Sequence, residues 1–216
     1  DGCIPPLQAY VKAYLLRHPE ALVRVITTQY PFSSTPYAWH GVQVHPCGGA
    51  NRRWAKPWSW QRALSTGARL HRERPFHRVH SFWLGECAWI GRRLAQHNKA
   101  DHVLTLMGQD ARDESNWWRM VNGSGTRNVV LSERHAEAFR TMTGRSPDAV
   151  IPWGIDPRDA SSASKRDIDL LFAGSLIPVK RPELFIELVA RIAQHRSVKA
   201  VMAGARIPAG NAHVDR

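Results

Sequence analysis

Apolar residues follow two alternating patterns along the chain: short continuous runs, and longer stretches in which they recur every three or four residues. The continuous runs predict buried β-strands and the spaced ones predict amphipathic helices. The predicted strands cover residues 22–27, 42–45, 76–82, 102–107, 128–131, 149–152, 170–173 and 198–202. The predicted helices cover 4–16, 58–71, 84–97 and 111–120, with further helices after Ser132 and from Pro182 onward. Strands that alternate with helices indicate an α/β protein with a parallel sheet.

Three further local features refine this picture. Residues 30–40 are rich in proline, serine and aromatic residues and are predicted to form a loop. Ser132 is predicted to cap a helix, with Glu133 in its first turn. Residues 157–167 are polar and rich in serine and alanine, which predicts a linker. The linker separates a first series of strands and helices from a second one.

The second series begins with the clearest local signal in the chain. The apolar run 170–173 ends at Gly174 and Ser175, which open a loop, and Pro182 suits the first turn of a following helix. A loop that leads into a helix presents free backbone N–H groups and the positive end of a helix dipole, which favours an anion. Lys180 adds a mobile positive charge beside that loop. The pattern fits an anion site, and it fits an ordinary βαβ unit with a surface lysine equally well.

Polar and glycine residues cluster at the predicted carboxyl ends of the strands, where open α/β sheets bind ligands. They are His80, residues 108–110, Gly154 with Asp156, and residues 174–180. His80 is predicted to lie near the end of its strand, either as a site residue or as a satisfied, half-buried histidine. No HExxH pair or carboxylate cluster occurs among the histidines, so we expect no metal site. The sequence also contains no P-loop and no GxSxG nucleophile elbow.

The charge of the chain narrows the class of its partners. Its 216 residues include 30 Lys and Arg against 18 Asp and Glu, a formal net charge of +12, together with nine tryptophans. Such a charge favours nucleic acid, nucleotide phosphates or the acidic leaflet of a membrane. Basic residues among aromatic ones suit both stacking on single-stranded nucleic acid and a membrane interface. The three cysteines form no CxxC pair and indicate a reducing compartment.

Four phrases at the strand ends carry a family resemblance. They are HSFWLGE (80–86), TLMGQDAR (105–112), VIPWGID (150–156) and LLFAGSLIPVKRPELFIELV (170–189). In this order and spacing they resemble the GT-B glycosyltransferases, specifically the large retaining family four. The resemblance covers the chain from Gly2 to about Gly204 and implies two Rossmann-like domains. Residues 1–156 would be the acceptor-side domain without its first strand, 157–167 the linker, and 168–216 the opening βαβ of a truncated donor domain.

The resemblance also implies an activity. Such an enzyme moves a sugar from a nucleotide-diphosphate donor to a hydroxyl of a glycan or lipid-linked acceptor, with retention and without a cofactor or metal. We expect a role in surface polysaccharide or glycolipid assembly, in the cytoplasm or peripheral to the inner face of the membrane. The segment 51–62, with four cations and three tryptophans, would then face the anionic membrane surface. The alternative is a solvated loop whose tryptophans pack inward.

Site residues follow from the same resemblance. Lys180 matches the lysine that contacts the donor diphosphate. Ser175 stands where many members have arginine, and Arg181 is a candidate to compensate. His80 and Asp110 are the catalytic candidates, although Asp110 equally suits the cap of a helix beginning at Ala111. The remaining substrate-binding candidates are Gly2, Gly108, Gly154 and Gly174.

Three departures from the family pattern limit what is carried over. The first strand and its glycine-rich loop are absent, and Met107 replaces a family histidine. The acidic pair of the donor domain lies beyond the matching region, so we expect these 216 residues to be a fragment that is inactive by itself. Two other functions stay open: a basic, tryptophan-rich nucleic-acid-binding protein, for which no binding motif is found, and another GT-B enzyme such as a sugar-nucleotide epimerase.

Overall fold

The computed structural model describes residues 4–108, 110–111, 116–121, 125–154 and 167–204, without the side chain of residue 179. The chain divides into two compact units, Asp1–Asp156 and Pro157–Arg216. The helices are α1 Pro5–Arg17, α2 Lys56–Glu73, α3 Glu86–His97, α4 Asn116–Val121, α5 Glu133–Thr143 and α6 Pro182–Ala193. The strands are β1 Arg24–Thr27, β2 Tyr37–Trp39, β3 Val42–Pro46, β4 Arg78–Phe82, β5 Asp101–Thr105, β6 Thr126–Val130, β7 Ala149–Val150, β8 Leu170–Ala173 and β9 Ala200–Ala203.

The strands form three described sheets. The first unit contains a three-stranded sheet in the order β1-β3-β2 and a four-stranded sheet in the order β4-β5-β6-β7. The second unit contains β8 paired with β9. Every pair in the four-stranded sheet is parallel, and so is the pair β8–β9. The α/β class predicted from the alternating pattern is therefore confirmed.

Strand β2 contradicts two predictions: that residues 30–40 form a loop, and that the strands are all parallel. Strand β2 pairs antiparallel with β3, and Trp39 lies opposite Val42. The two residues between them, His40 and Gly41, have φ angles of 45° and 80°. Positive φ at both central residues is the type I′ geometry that joins adjacent antiparallel strands. The prediction failed because this His–Gly turn lacks the Asn or Asp that usually signals such a hairpin.

The helix predicted for residues 111–120 does not include Ala111, which lies in a bend. Residues 112–115 lie outside the described part of the chain, and the described helix is α4, Asn116–Val121. Trp118 and Val121 of this helix are buried in the larger of two core clusters. That cluster consists of Leu84, Ala88, Leu104, Leu106, Ala111, Trp118, Val121, Val130, Ala136 and Phe139. The four-stranded sheet and helices α3, α4 and α5 thus share one core.

Helix α3 approaches β4 closely at Gly91. A Cβ atom at this position would lie 1.9 Å from Oγ of Ser81, so only glycine fits. That hydroxyl lies 3.0 Å from Nε2 of His102, whose Nδ1 lies 2.9 Å from Oγ1 of Thr126. This polar chain connects β4, β5 and β6. Burial, with smaller effects of His80 and Arg92, lowers the pKa of His102 to about 4.

Candidate functional site

His80 lies in the middle of β4, because the strand continues to Phe82, and the prediction that the strand ends near His80 is wrong. The Nδ1 atom of His80 lies 3.0 Å from the hydroxyl of Tyr10 on α1. Its Nε2 atom lies 2.8 Å from Oγ1 of Thr105 on β5. Both ring nitrogens therefore have hydrogen-bond partners within the fold.

The imidazole of His80 also belongs to an aromatic cluster. It stacks on Phe82 with ring centres 4.2 Å apart, and Tyr10 meets it edge-on at 5.3 Å. Trp153 in turn stacks on Phe82 at 6.0 Å. Burial, and to a lesser degree the charge of Arg78, lowers the pKa of His80 to about 4. At neutral pH the ring is uncharged, so it can donate one hydrogen bond and accept another but supplies no positive charge.

Asp110 connects two loops at the carboxyl ends of β4 and β5. Its Oδ2 atom accepts hydrogen bonds from the backbone N–H of Leu84, at 2.8 Å, and of Met107, at 2.7 Å. Burial raises the pKa of Asp110, and the two backbone hydrogen bonds oppose that rise. The carboxylate does not cap a helix at Ala111, since that residue lies in a bend. Asp110 thus holds the two loops at one edge of the sheet.

A cavity of about 450 Å³ lies beside Gly108 at the same edge. The side chain of Ser132 accepts a hydrogen bond from the backbone N–H of His135, which confirms the predicted cap of α5. Gly108 is exposed with a φ of 48°. The cavity is lined by Gly108, Ala111, Leu131, Ser132, Arg134, His135 and Ala138. The sequence analysis did not single out Arg134 and His135. Their position in the first helical turn after β6 could have indicated them.

Glu86 is a second residue that the sequence interpretation overlooked, although it ends the phrase HSFWLGE. Its Oε1 accepts hydrogen bonds from Thr28 Oγ1, at 2.8 Å, and from Gln29 Nε2, at 2.7 Å. Its Oε2 accepts from Trp60 Nε1 at 2.9 Å and lies 3.6 Å from Nζ of Lys56. One partly buried carboxylate therefore connects the loop after β1 and the start of α2 to the first turn of α3.

The second unit places the predicted anion-binding residues around one loop. Gly174 follows β8 and donates its backbone N–H to the carbonyl of Ala203, the last residue of β9, at 2.9 Å. A 3₁₀ turn at Pro178–Lys180 leads into α6. Lys180 is exposed and has no acidic partner among the described residues. Arg181, by contrast, donates from Nε to Glu183 at 2.9 Å.

Other predicted site residues are either exposed or lie outside the described part of the chain. Gly154 is exposed, and a Cβ atom there would meet nothing within 4 Å. Gly2, Asp156 and all but the last residue of the predicted linker lie outside the described residues. Within the described ranges, no group of three His, Cys, Asp or Glu residues is arranged to hold a metal ion.

Comparison with protein-family models finds no match, and comparison with curated proteins finds none either. The four strand-end phrases therefore remain the basis of the family interpretation. Across the described part of the chain, no helix combines the length and apolar character required to cross a bilayer.

Proposed function

We propose that the chain belongs to a GT-B glycosyltransferase that moves a sugar from a nucleotide-diphosphate donor to an acceptor hydroxyl with retention of configuration. The proposal assigns the acceptor side to the first unit and the donor diphosphate to the second. Two observations support the proposal. The four motif phrases occur in the order of the family, and polar groups follow the parallel strands of both units. Loops at strand ends are where open α/β sheets bind their ligands.

The loop between β8 and α6 is the single observation that carries this proposal. Strand, loop, helix and strand occur there in the order that the phosphate-binding interpretation requires. Lys180 is exposed just before the first residue of the helix, and no described acidic side chain neutralises it. A lysine in this position can reach a phosphate as a point charge while backbone N–H groups hold the oxygens.

The chemistry of the transfer explains why a cation belongs at this loop. As the glycosidic bond to the donor phosphate breaks, the leaving nucleoside diphosphate gains negative charge. The ammonium of Lys180 and the positive end of the α6 dipole stabilise that charge where it develops. Arg181 donates from Nε to Glu183 in an exposed ion pair, and its terminal N–H groups leave it a candidate for a second phosphate contact.

On the acceptor side, the proposal uses His80 as a neutral group. Its imidazole, with a pKa of about 4, can orient a hydroxyl by hydrogen bonding once Tyr10 or Thr105 rotates away. Asp110 acts as a positioning residue, because its carboxylate holds the loops that carry Leu84 and Met107. The acceptor is a glycan or a lipid-linked glycan of surface polysaccharide or glycolipid assembly.

The test is a titration of the chain with uridine, guanosine and adenosine diphosphates, followed by backbone amide NMR. We expect shifts of the amide resonances of Gly174, Ser175 and Lys180 with at least one nucleotide. Lys180→Ala should weaken that binding by roughly one to two decades, the loss of one charge-assisted contact. Lys180→Arg should restore it only in part, because the guanidinium has a different shape and reach.

Arg191→Ala is the matched control, because Arg191 is exposed at the opposite end of the same helix. It should bind as the wild type does, with circular dichroism verifying the fold of each variant. Equal affinity of Lys180→Ala and wild type would overturn the phosphate role of Lys180. Incubation with labelled nucleotide sugars distinguishes the alternative, since an epimerase would change the donor itself without an acceptor.

A further inference from the structure

The stretch between residues 21 and 72 contains no Asp or Glu, although the whole chain has 18 of them. It contains seven Lys and Arg residues. Arg24 and Arg69 pair with Glu73, and Lys56 pairs with Glu86. Arg52, Arg53, Arg62 and Arg72 have no acidic partner among the described residues. The stretch therefore presents a local excess of positive charge.

Exposed aromatic side chains occur in the same stretch. Trp58 is 74% exposed, Trp54 70%, Phe32 64% and Tyr30 48%. In the described part of the chain, no other phenylalanine, tyrosine or tryptophan is exposed. Burial of apolar surface stabilises folding, so four aromatic residues left in solvent require another reason for their position.

Three segments bring these residues together at the carboxyl ends of β1 and β3. The side chain of Gln29, which precedes Tyr30, accepts a hydrogen bond from the backbone N–H of Asn51 at 3.1 Å. A Cβ atom on Gly48 would lie 3.4 Å from Nη1 of Arg62 on α2 and 3.4 Å from Cβ of Ser34. We call Tyr30, Phe32, Arg52, Arg53, Trp54, Trp58 and Arg62 the aromatic–cationic patch.

Trp60 differs from its exposed neighbours Trp54 and Trp58 because it packs into the fold. It lies on the same turn of α2 as Trp58, yet it points inward, where its indole N–H binds Glu86. Its ring packs against Trp89 at 5.4 Å and Trp117 at 5.9 Å. The start of α2 is thus anchored by one tryptophan while Trp54 and Trp58 face solvent.

We propose that the aromatic–cationic patch binds the surface of an anionic lipid bilayer. Tryptophan and tyrosine are suited to the boundary between headgroups and acyl chains, since each combines an apolar ring with a polar group. Arginines beside them bind lipid phosphates, as Arg52, stacked 5.7 Å from the ring of Trp54, is placed to do. Exposed fractions of 48–74% leave these rings free to enter the headgroup region. Bases of a single strand could stack on the same rings, but the sequence contains no nucleic-acid-binding motif. The proposal does not depend on sugar transfer.

Sedimentation of the whole chain with lipid vesicles tests this proposal. Vesicles of phosphatidylcholine are compared with vesicles that also contain phosphatidylglycerol, with circular dichroism verifying each variant's fold. We expect binding to the anionic vesicles only. Arg52→Gln with Arg53→Gln should reduce partitioning by roughly fivefold for each arginine. Trp54→Ala with Trp58→Ala should remove most of the tryptophan quenching by lipids brominated on their acyl chains.

The control is the double variant Arg140→Gln with Arg191→Gln, which removes two positive charges at exposed positions on α5 and α6. The control variant should lose much less partitioning than the variant with Arg52→Gln and Arg53→Gln. Equal binding to both vesicle types would overturn the proposal, and so would equal losses in patch and control variants. Binding of a single-stranded oligonucleotide that the tryptophan variant abolishes, without vesicle binding, would assign the patch to nucleic acid instead.

Discussion

The indole Nε1 of Trp60 donates a hydrogen bond of 2.9 Å to Oε2 of Glu86, and this contact joins α2 to the first turn of α3. The same carboxylate accepts from Thr28 and Gln29 through its other oxygen. Only 13% of the Glu86 side chain is exposed. A partly buried carboxylate with three hydrogen-bond donors and an ion pair thus connects the loop after β1 to both helices.

Glu86→Gln should therefore destabilise the fold by about 1–3 kcal/mol. Oε1 accepts from Thr28 and Gln29 while Oε2 accepts from Trp60, so an amide NH₂ in either orientation would face at least one donor. Urea unfolding followed by circular dichroism measures the change. Glu183→Gln is the control, because its partner Arg181 and the carboxylate are both exposed. A Glu86→Gln chain as stable as the control would show that these hydrogen bonds contribute little.

Gly91→Ala should also destabilise the first unit. A methyl group there would lie 1.9 Å from Oγ of Ser81 and 3.2 Å from Nε2 of His102, so α3 must move away from β4. Overpacking of this kind costs about 1–3 kcal/mol. Gly85→Ala is a matched substitution at the start of the same helix, where a methyl group meets nothing within 4 Å. Thermal unfolding of both variants is the measurement, and equal midpoints would contradict the close approach.

Two histidines of the four-stranded sheet, the buried His102 and the partly buried His80, predict how stability depends on pH. His80 and His102 each have a pKa of about 4 in the fold, against an ordinary value of 6.5. Between these values the unfolded chain binds protons that the folded chain excludes. The free energy of unfolding should consequently decrease as the pH falls from about 6.5 toward 4. Urea unfolding over this pH range measures the slope.

Proton NMR assigns that effect to individual residues. The imidazole resonance of His80 should remain that of the neutral ring until the pH approaches 4, because burial disfavours the charged form. His80→Gln should flatten the pH dependence of unfolding relative to the wild type. A His80 titration midpoint at the ordinary value of 6.5 would show that water reaches the ring despite Tyr10 and Phe82.

The sequence indicated where much of the candidate site lies, but it did not indicate the role of each residue. Asp110 and Lys180 follow their strands, as predicted, whereas His80 lies in the middle of β4 and not at its end. Asp110 was expected either to orient a hydroxyl or to cap a helix, whereas its carboxylate binds two loop N–H groups. A donor on Leu84 is 26 residues away, and no local pattern indicates such a partner.

The sequence by itself determined the class of the elements and most of their order. Hydrophobic periodicity is a local property, since a helix or strand must bury one face of its own segment. That is why α1, α3, α6 and the strands of the parallel sheet were predicted within a few residues. The short strand β2 escaped, because its pairing with β3 depends on backbone hydrogen bonds more than on a hydrophobic pattern.

The tertiary structure alone decided which residues of each element face a partner and which face solvent. Trp58 and Trp60 are two positions apart in one helix, yet one is 74% exposed and the other binds Glu86. Likewise, the partners of Glu86 are 26 to 58 residues away in sequence. Contacts over such separations form only when whole elements pack together, because burying a carboxylate or an indole N–H requires its partner at the same place.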